Sequence, residues 1–172
     1  MTIIFAAATA PINPSGASPK LTLEQVWKGL ELKVIKPELF LPVVEKCEVI
    51  ENDGEVVVRD VTFKEGARMA NPGAGPTMRE RITHIKPVSS TAGSGIEIFS
   101  TLESANKVQN VVSTGAHDSE LYLTFTFEWE HKEIEEGSEE AVKKQKQYQE
   151  NAPRAVQGTI AKMREMIKEG KL

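Results

Sequence analysis

The chain has a single cysteine among 172 residues. No disulfide can form within it, and such sparing use favours a cytoplasmic setting. Nothing around Cys47, in VEKCEVIE, would activate a thiol. Its three acidic neighbours raise a thiol pKa rather than lower it, so Cys47 reads as structural. No apolar run approaches the roughly 20 residues of a membrane helix, so no membrane span is expected. Basic charge is not in excess either: the net charge is -4, which weighs against a nucleic-acid surface. His84, His117 and His131 are scattered without metal-ligand spacing, so no metal site is expected. There is no nucleophile elbow. GAGP at 73–76 lacks the lysine of a phosphate-binding loop and does not open a helix; it reads as a hairpin tip. No internal repeat, low-complexity segment or cofactor motif is present.

What is there is an ordinary globular composition, 40% hydrophobic and 27% charged, sized for one domain over residues 1–172. The opening MTIIFAAATAPINP has no basic residue before its short apolar run, so Thr2 to Ala10 reads as a strand rather than a signal peptide. NPSGASPK follows as a loop. A helix then opens at Thr22, whose capping box with Gln25 and staple of Leu21 with Val26 are both in place. Leu23, Val26, Trp27, Leu30 and Val34 form its apolar stripe. PELFLPVVE predicts a second short helix, started by Pro37 and stopped or bent by Pro42.

Strands follow in series: CEVIEN, EVVVRDVTF, TMRERITHIKP, GIEIFSTLE, KVQNVVST and SELYLTFTFEWEH. Asn52-Asp53-Gly54 predicts a tight hairpin turn between the first two. From Ser138, an N-cap, to about Lys168 the pattern predicts a long helix. Ala141, Val142, Tyr148, Ala152, Ala155, Val156, Ile160, Met163 and Ile167 lie near one face. Pro153 should kink or divide it, and the KKQKQYQE run reads as a solvated face. At ~1.5 Å per residue such a helix reaches ~45 Å and can cross a whole sheet. The order is strand, two helices, about six antiparallel strands, long helix. Antiparallel strands leave one sheet face to be covered, and the terminal helix is long enough to do it.

This order resembles the START/Bet v 1-like (SRPBCC) superfamily, the α+β helix-grip fold, and within it the AtaL-like subgroup. The segments that carry the likeness are APIN at 10–13, LTLEQVWKGL at 21–30, PELFLPVVEKCEVIE at 37–51, RDVTF at 59–63, RERIT at 79–83, NVVSTG at 110–115 and ELYLTFTFEWEH at 120–131. They are marks of fold and subgroup, not of catalysis. The loop KEGARMANPGAGPT departs from the subgroup by its greater length. The resemblance implies an internal pocket for an apolar or aromatic small molecule. The superfamily includes lipid carriers, receptors and polyketide cyclases, and the fold alone does not choose among them.

Alternation assigns side chains to the pocket face. VVVRDVTF puts Arg59 with Val57, Val61 and Phe63. Arg59 either faces water, since Val56 and Val58 make the other side nearly as apolar, or is a cation held inside. In TMRERITHI, Arg79 and Arg81 mark the wet side, so Glu80 points inward with Ile82 and His84. In KVQNVVST, Asn110 points inward. Phe125, Phe127 and Trp129 form an aromatic wall, and Ile82, Ile98 and Val156 complete the expected lining. An inward Arg59 must be compensated, and Glu80 on the neighbouring strand is the natural partner. Arg59, Glu80 and Asn110 are thus candidates for binding a polar group or for catalysis, with a structural ion pair as the alternative. His84 fits the pocket rim or a structural role; Phe5, Phe40 and Phe99 read as packing residues. A long 64–77 loop at the pocket mouth would be placed as a lid. Two functions stand: a module that binds an apolar metabolite, or a cofactor-independent cyclase, isomerase or aldol-type enzyme.

Overall fold

The computed structural model describes residues 1–68, 75–117 and 120–172. Its elements are β1 (Thr2–Pro11), α1 (Leu23–Ile35), a 3-10 turn (Pro37–Leu39), β2 (Val44–Asn52), β3 (Val56–Phe63), β4 (Thr77–Ile85), β5 (Gly95–Thr101), β6 (Lys107–Thr114), β7 (Leu121–His131) and α2 (Glu139–Lys168). The strands form one antiparallel sheet in the order β1-β7-β6-β5-β4-β3-β2. After β1 the chain leaves one edge, crosses by way of α1 to the opposite edge, and returns strand by strand to pair β7 with β1. The predicted α+β architecture is therefore observed.

Local chemistry explains most boundaries. Thr22 and Gln25 close the predicted capping box on α1, with bonds of 3.2 and 3.0 Å. The Ser138 hydroxyl accepts from the Ala141 N–H at the start of α2. At the β2–β3 turn the Asp53 carboxylate accepts from the N–H groups of Glu55 and Val56, and Gly54 takes the positive φ of 91° that the turn requires. Gly29 lets the helices meet: a side-chain carbon there would fall 2.7 Å from the Met163 side chain.

Three expectations are corrected. The helix predicted from PELFLPVVE is only a 3-10 turn, and the chain is already in β2 at Val44. Pro42 has no N–H with which to continue a helix. Second, Pro153 does not divide α2, which runs unbroken over 30 residues. Ala152 and Val156 on either side of it are buried in the core, so tertiary packing holds the helix across the missing hydrogen bond. Third, the KKQKQYQE run is not simply solvated. Gln145 and Gln149, one turn apart, donate their side-chain amides to the carbonyls of Phe5 and Ala7 on edge strand β1. Alternate carbonyls of an edge strand point the same way, so a helix with polar side chains one turn apart can occupy them. Tyr148, between the two glutamines, is buried. Within the predicted stripe, Val142 is exposed, as is half of Phe5, which lies on the outer side of β1.

The apolar interior is divided. One cluster joins α1, α2 and the ends of β6 and β7 through Leu23, Val26, Leu30, Val112, Leu123, Val156, Ile160 and Met163. A second packs the first half of α2 on Ile4 and Ala6 of β1. A third sets Val34 at the end of α1 against Val57, Ile82 and Phe99. The space between these clusters is not filled.

Candidate ligand cavity

That space is a cavity of about 210 Å³ bounded by the inner face of β2–β7, the end of α1, the 37–44 segment and Ala155 of α2. Its walls are mainly Val43, Val44, Val61, Phe63, Met78, Phe99, Val108, Phe125, Phe127 and Trp129. Lys33, Arg59, Arg68, Glu80, Asn106 and Asn110 supply the polar groups. A smaller hollow of about 70 Å³ between β7 and α2 shares Phe127, Trp129 and Ala155 with it and adds Tyr148 and Asn151. Phe127 and Trp129 are stacked at 6.0 Å, with Phe125 edge-on to Phe127 at 6.3 Å, so the aromatic wall is continuous.

Arg59 faces inward and is buried at 6% exposure. Its strand register places it directly opposite Glu80. Nε and Nη2 both donate to one carboxylate oxygen, Oε2, at 2.9 and 2.7 Å, rather than one to each oxygen as in a two-pronged fork. The other arm does something the strand pattern does not reveal. Nη1 donates to the backbone carbonyls of Lys33 and Val34, which belong to the last turn of α1. A helix end inside a protein leaves carbonyls without partners and carries partial negative charge. Arg59 answers both needs, and its face also meets the Phe99 ring at 5.4 Å.

Asn110 is 2% exposed, and its amide donates to Glu97 Oε2 at 2.9 Å across the β5–β6 pair. Its own carbonyl oxygen has no protein partner. Glu97 is fully buried, and burial pushes its carboxyl up to about 7, opposed by the Asn110 bond and by Lys33 and Arg59. Its second oxygen lies 3.5 Å from His84 Nδ1. His84 itself packs edge-on against Trp27 and does not reach the cavity; burial holds its pKa down.

Lys33 was not singled out by the sequence pattern. Its Nζ bonds the Thr159 hydroxyl of α2 at 3.2 Å and stands 4.3 Å from the Phe125 ring centroid. Burial lowers its pKa to about 8. The signal was present: position 33 follows Val26 by seven residues and Leu30 by three, which places it on the apolar stripe of α1. Glu97 was harder to find, because both faces of β5 carry apolar residues.

Of the predicted lining, Phe125, Phe127 and Trp129 stand in the cavity wall with Arg59, Glu80 and Asn110. Three others do not. Ile98 is on the opposite face, since the β4–β5 register turns Glu97 and Phe99 inward. Ile82 is sealed beneath Val34 and Phe99, and Val156 is packed among the α1–α2 contacts. Phe99, read as a packing residue, is part of the wall. Cys47 is half-buried with its thiol pKa raised, chiefly by burial rather than by its acidic sequence neighbours. The proposed lid lies partly outside the described residues, at 69–74; Ala67 and Arg68, just before, line the cavity. No group of metal-ligating side chains occurs among the described residues, and no helix is long and apolar enough to cross a membrane.

A curved antiparallel sheet closed by its C-terminal helix around an apolar hollow defines a helix-grip protein of the START/Bet v 1-like kind. The chain belongs to the AtaL family, described as "Acetylaranotin biosynthesis cluster protein L", whose sequence profile matches residues 6–170. A relative of that name from Aspergillus terreus is 29% identical over 166 residues, covering 96% of this chain and 91% of the relative. Among solved structures, the Zhui aromatase/cyclase of Streptomyces sp. R1128 superposes with a TM-score of 0.66 at 13% identity, over 96% of both chains. Human STARD10 superposes at 0.63 with 10% identity, covering 96% of this chain and 64% of that one. At such identities these structures establish the fold.

Proposed function

We propose that this protein binds an apolar or aromatic small molecule, such as a polyketide-like metabolite or a lipid, in the cavity between sheet and α2. The observation that carries this reading is the cavity itself: an aromatic and aliphatic wall interrupted by a few buried polar groups, the usual make-up of a small-molecule site. Phe125, Phe127 and Trp129 provide flat contact area, and Asn110 offers an unpartnered buried acceptor. A cytoplasmic setting fits a chain with one cysteine. Native mass spectrometry of the purified protein, followed by extraction of the co-purifying compound, tests it. One saturably bound compound, recovered unchanged, is the expected result; conversion to a new product would replace binding by catalysis.

A second reading, a cofactor-independent cyclase, isomerase or aldol-type enzyme, is favoured by one arrangement. Glu97, titrating near 7, sits behind Asn110 at the cavity wall, and a group with that pKa can both take and give a proton at neutral pH. Arg59 and Glu80 would then orient a polar group of the substrate. Glu97→Gln, which keeps the size of the side chain and removes the titrating proton, should abolish conversion of the extracted compound; an unchanged rate removes that role.

A further inference from the structure

Three cations line the cavity: Arg68 donates to the carbonyls of Gly75 and Thr77, and the other two, Arg59 and Lys33, differ in how they are satisfied. The Arg59 guanidinium is occupied by Glu80 and by the end of α1. The Lys33 ammonium has three N–H donors, and its hydrogen-bond partner is one neutral hydroxyl, that of Thr159. Among the described residues it makes no ion pair, and a ring face lies beneath it. We propose that Lys33 anchors an oxyanion carried by the ligand, so that the compound held here is an apolar or aromatic acid: a carboxylic acid, or an acidic enol or phenol. This rests on the small-molecule reading above and narrows its ligand class.

A cation in apolar surroundings without a counter-charge is costly. The nearest carboxylates relieve that cost only in part, and burial outweighs them: Glu80 is engaged by Arg59, and Glu97 is bonded to Asn110. A ligand oxyanion against Phe125 would accept one or two of the spare N–H bonds and supply the missing charge. Its ring system would then extend along Phe127 and Trp129, which continue the same wall.

The charged groups that bear on Lys33 are Glu97 from β5, Arg59 from β3 and Glu80 from β4. As pH rises, ionisation of Glu97 and loss of the Lys33 proton both weaken an anion's hold, so discrimination is greatest below neutrality.

Isothermal titration with 2-naphthoate and its neutral counterpart 2-naphthalenemethanol, at pH 6.5 and pH 9, tests the proposal. The carboxylate is expected to bind at least about tenfold more tightly at the lower pH, with the preference shrinking at the higher. Lys33→Met should bring the two probes to parity by weakening the carboxylate, and Lys33→Arg should lose less of the preference at pH 9 than the wild type does, the remaining loss coming from ionised Glu97. A wild-type protein that binds both probes alike, or a preference that survives Lys33→Met, overturns the role of Lys33 while leaving the cavity reading intact. Failure of both probes to bind removes the cavity reading and this proposal together.

Discussion

At the β1 end of the sheet, α2 lies on β1 and β7, and α1 closes over it, with Leu30, Val112, Leu123, Val156 and Met163 all fully buried. At the β2 end, the described residues that cover the sheet are the last turn of α1, the 37–44 segment and Ala67 and Arg68, and a hollow remains. The difference is one of reach. A single helix can grip only one end of a seven-stranded sheet, and neighbouring strands add nearly 5 Å each to the width to be covered. Of the four buried Arg and Glu side chains among the described residues, three, Arg59, Glu80 and Glu97, sit on β3, β4 and β5, and the fourth, Glu130, is on β7. The solid end contributes stability through contact, whereas the hollow end depends on buried hydrogen bonds that are costly to break.

Four experiments bear on this comparison. The largest effect should come from breaking the polar side. Arg59→Leu strips Glu80 of its counter-charge and the end of α1 of its donors, and should destabilise the fold by about 3–5 kcal/mol. Urea unfolding checks this. The double variant Arg59→Leu with Glu80→Leu should recover part of the loss; a double variant as unstable as the sum would point to the helix-end bonds as the dominant contribution.

A matched pair of valines separates solid from hollow. Val112 and Val61 are both buried, at 0% and 1% exposure, but the first lies in the α1–α2 cluster and the second in the cavity wall. Val112→Ala should cost about 1–2 kcal/mol and Val61→Ala distinctly less, because a side chain facing empty space loses fewer contacts when truncated. Equal costs in thermal or urea unfolding would mean that the hollow end is packed as tightly as the other.

The third measurement is the pH profile of stability. Glu97 has a folded pKa raised to about 7 from 4.5, so between those values the folded state holds the extra proton and stability falls as pH rises. Lys33 has a folded pKa lowered to about 8 from 10.5. Across that interval the unfolded state holds the extra proton, so stability rises with pH. The curve should pass through a trough between about 7 and 8. Glu97→Gln should flatten its acid side and Lys33→Met its alkaline side, as read from urea midpoints.

The smallest effect is expected at the β1 edge. Gln149→Ala removes one exposed side-chain bond to the Ala7 carbonyl and should cost under about 1 kcal/mol. A larger loss would show that the glutamine ties, as well as the apolar face of α2, hold the helix on the sheet.

Much of the fold was legible because its signals are local. The capping box at Thr22, the Asn52-Asp53-Gly54 turn, the alternation of β7 and the stripe of α2 each follow from nearest neighbours. The inward set on β4, β6 and β7 followed from alternation once the wet face was known, whereas on β3 both sides are nearly equally apolar and the pairing with β4 decided it. β5 resisted, because Ile96 and Ile98 on one side and Phe99 on the other are equally apolar; only pairing with β4 turned Glu97 inward and Ile98 out. The 37–45 segment misled because Pro37 and an apolar stretch match a helix start, whereas the room left before Pro42 holds only a 3-10 turn.

By itself the sequence determined most of the elements, their order, and the parity that points Glu80, Asn110 and the aromatic wall to one side, because such features depend on contacts within a few residues; the face of Arg59 it left open. Only the tertiary structure decided what those groups touch. The Arg59 guanidinium meets the carbonyls of Lys33 and Val34 across 26 and 25 residues of chain, and Lys33 meets Thr159 across 126. No periodicity encodes such meetings: they depend on where α1 ends over the sheet and on how far α2 reaches, and that placement leaves one cation satisfied and the other open to the cavity.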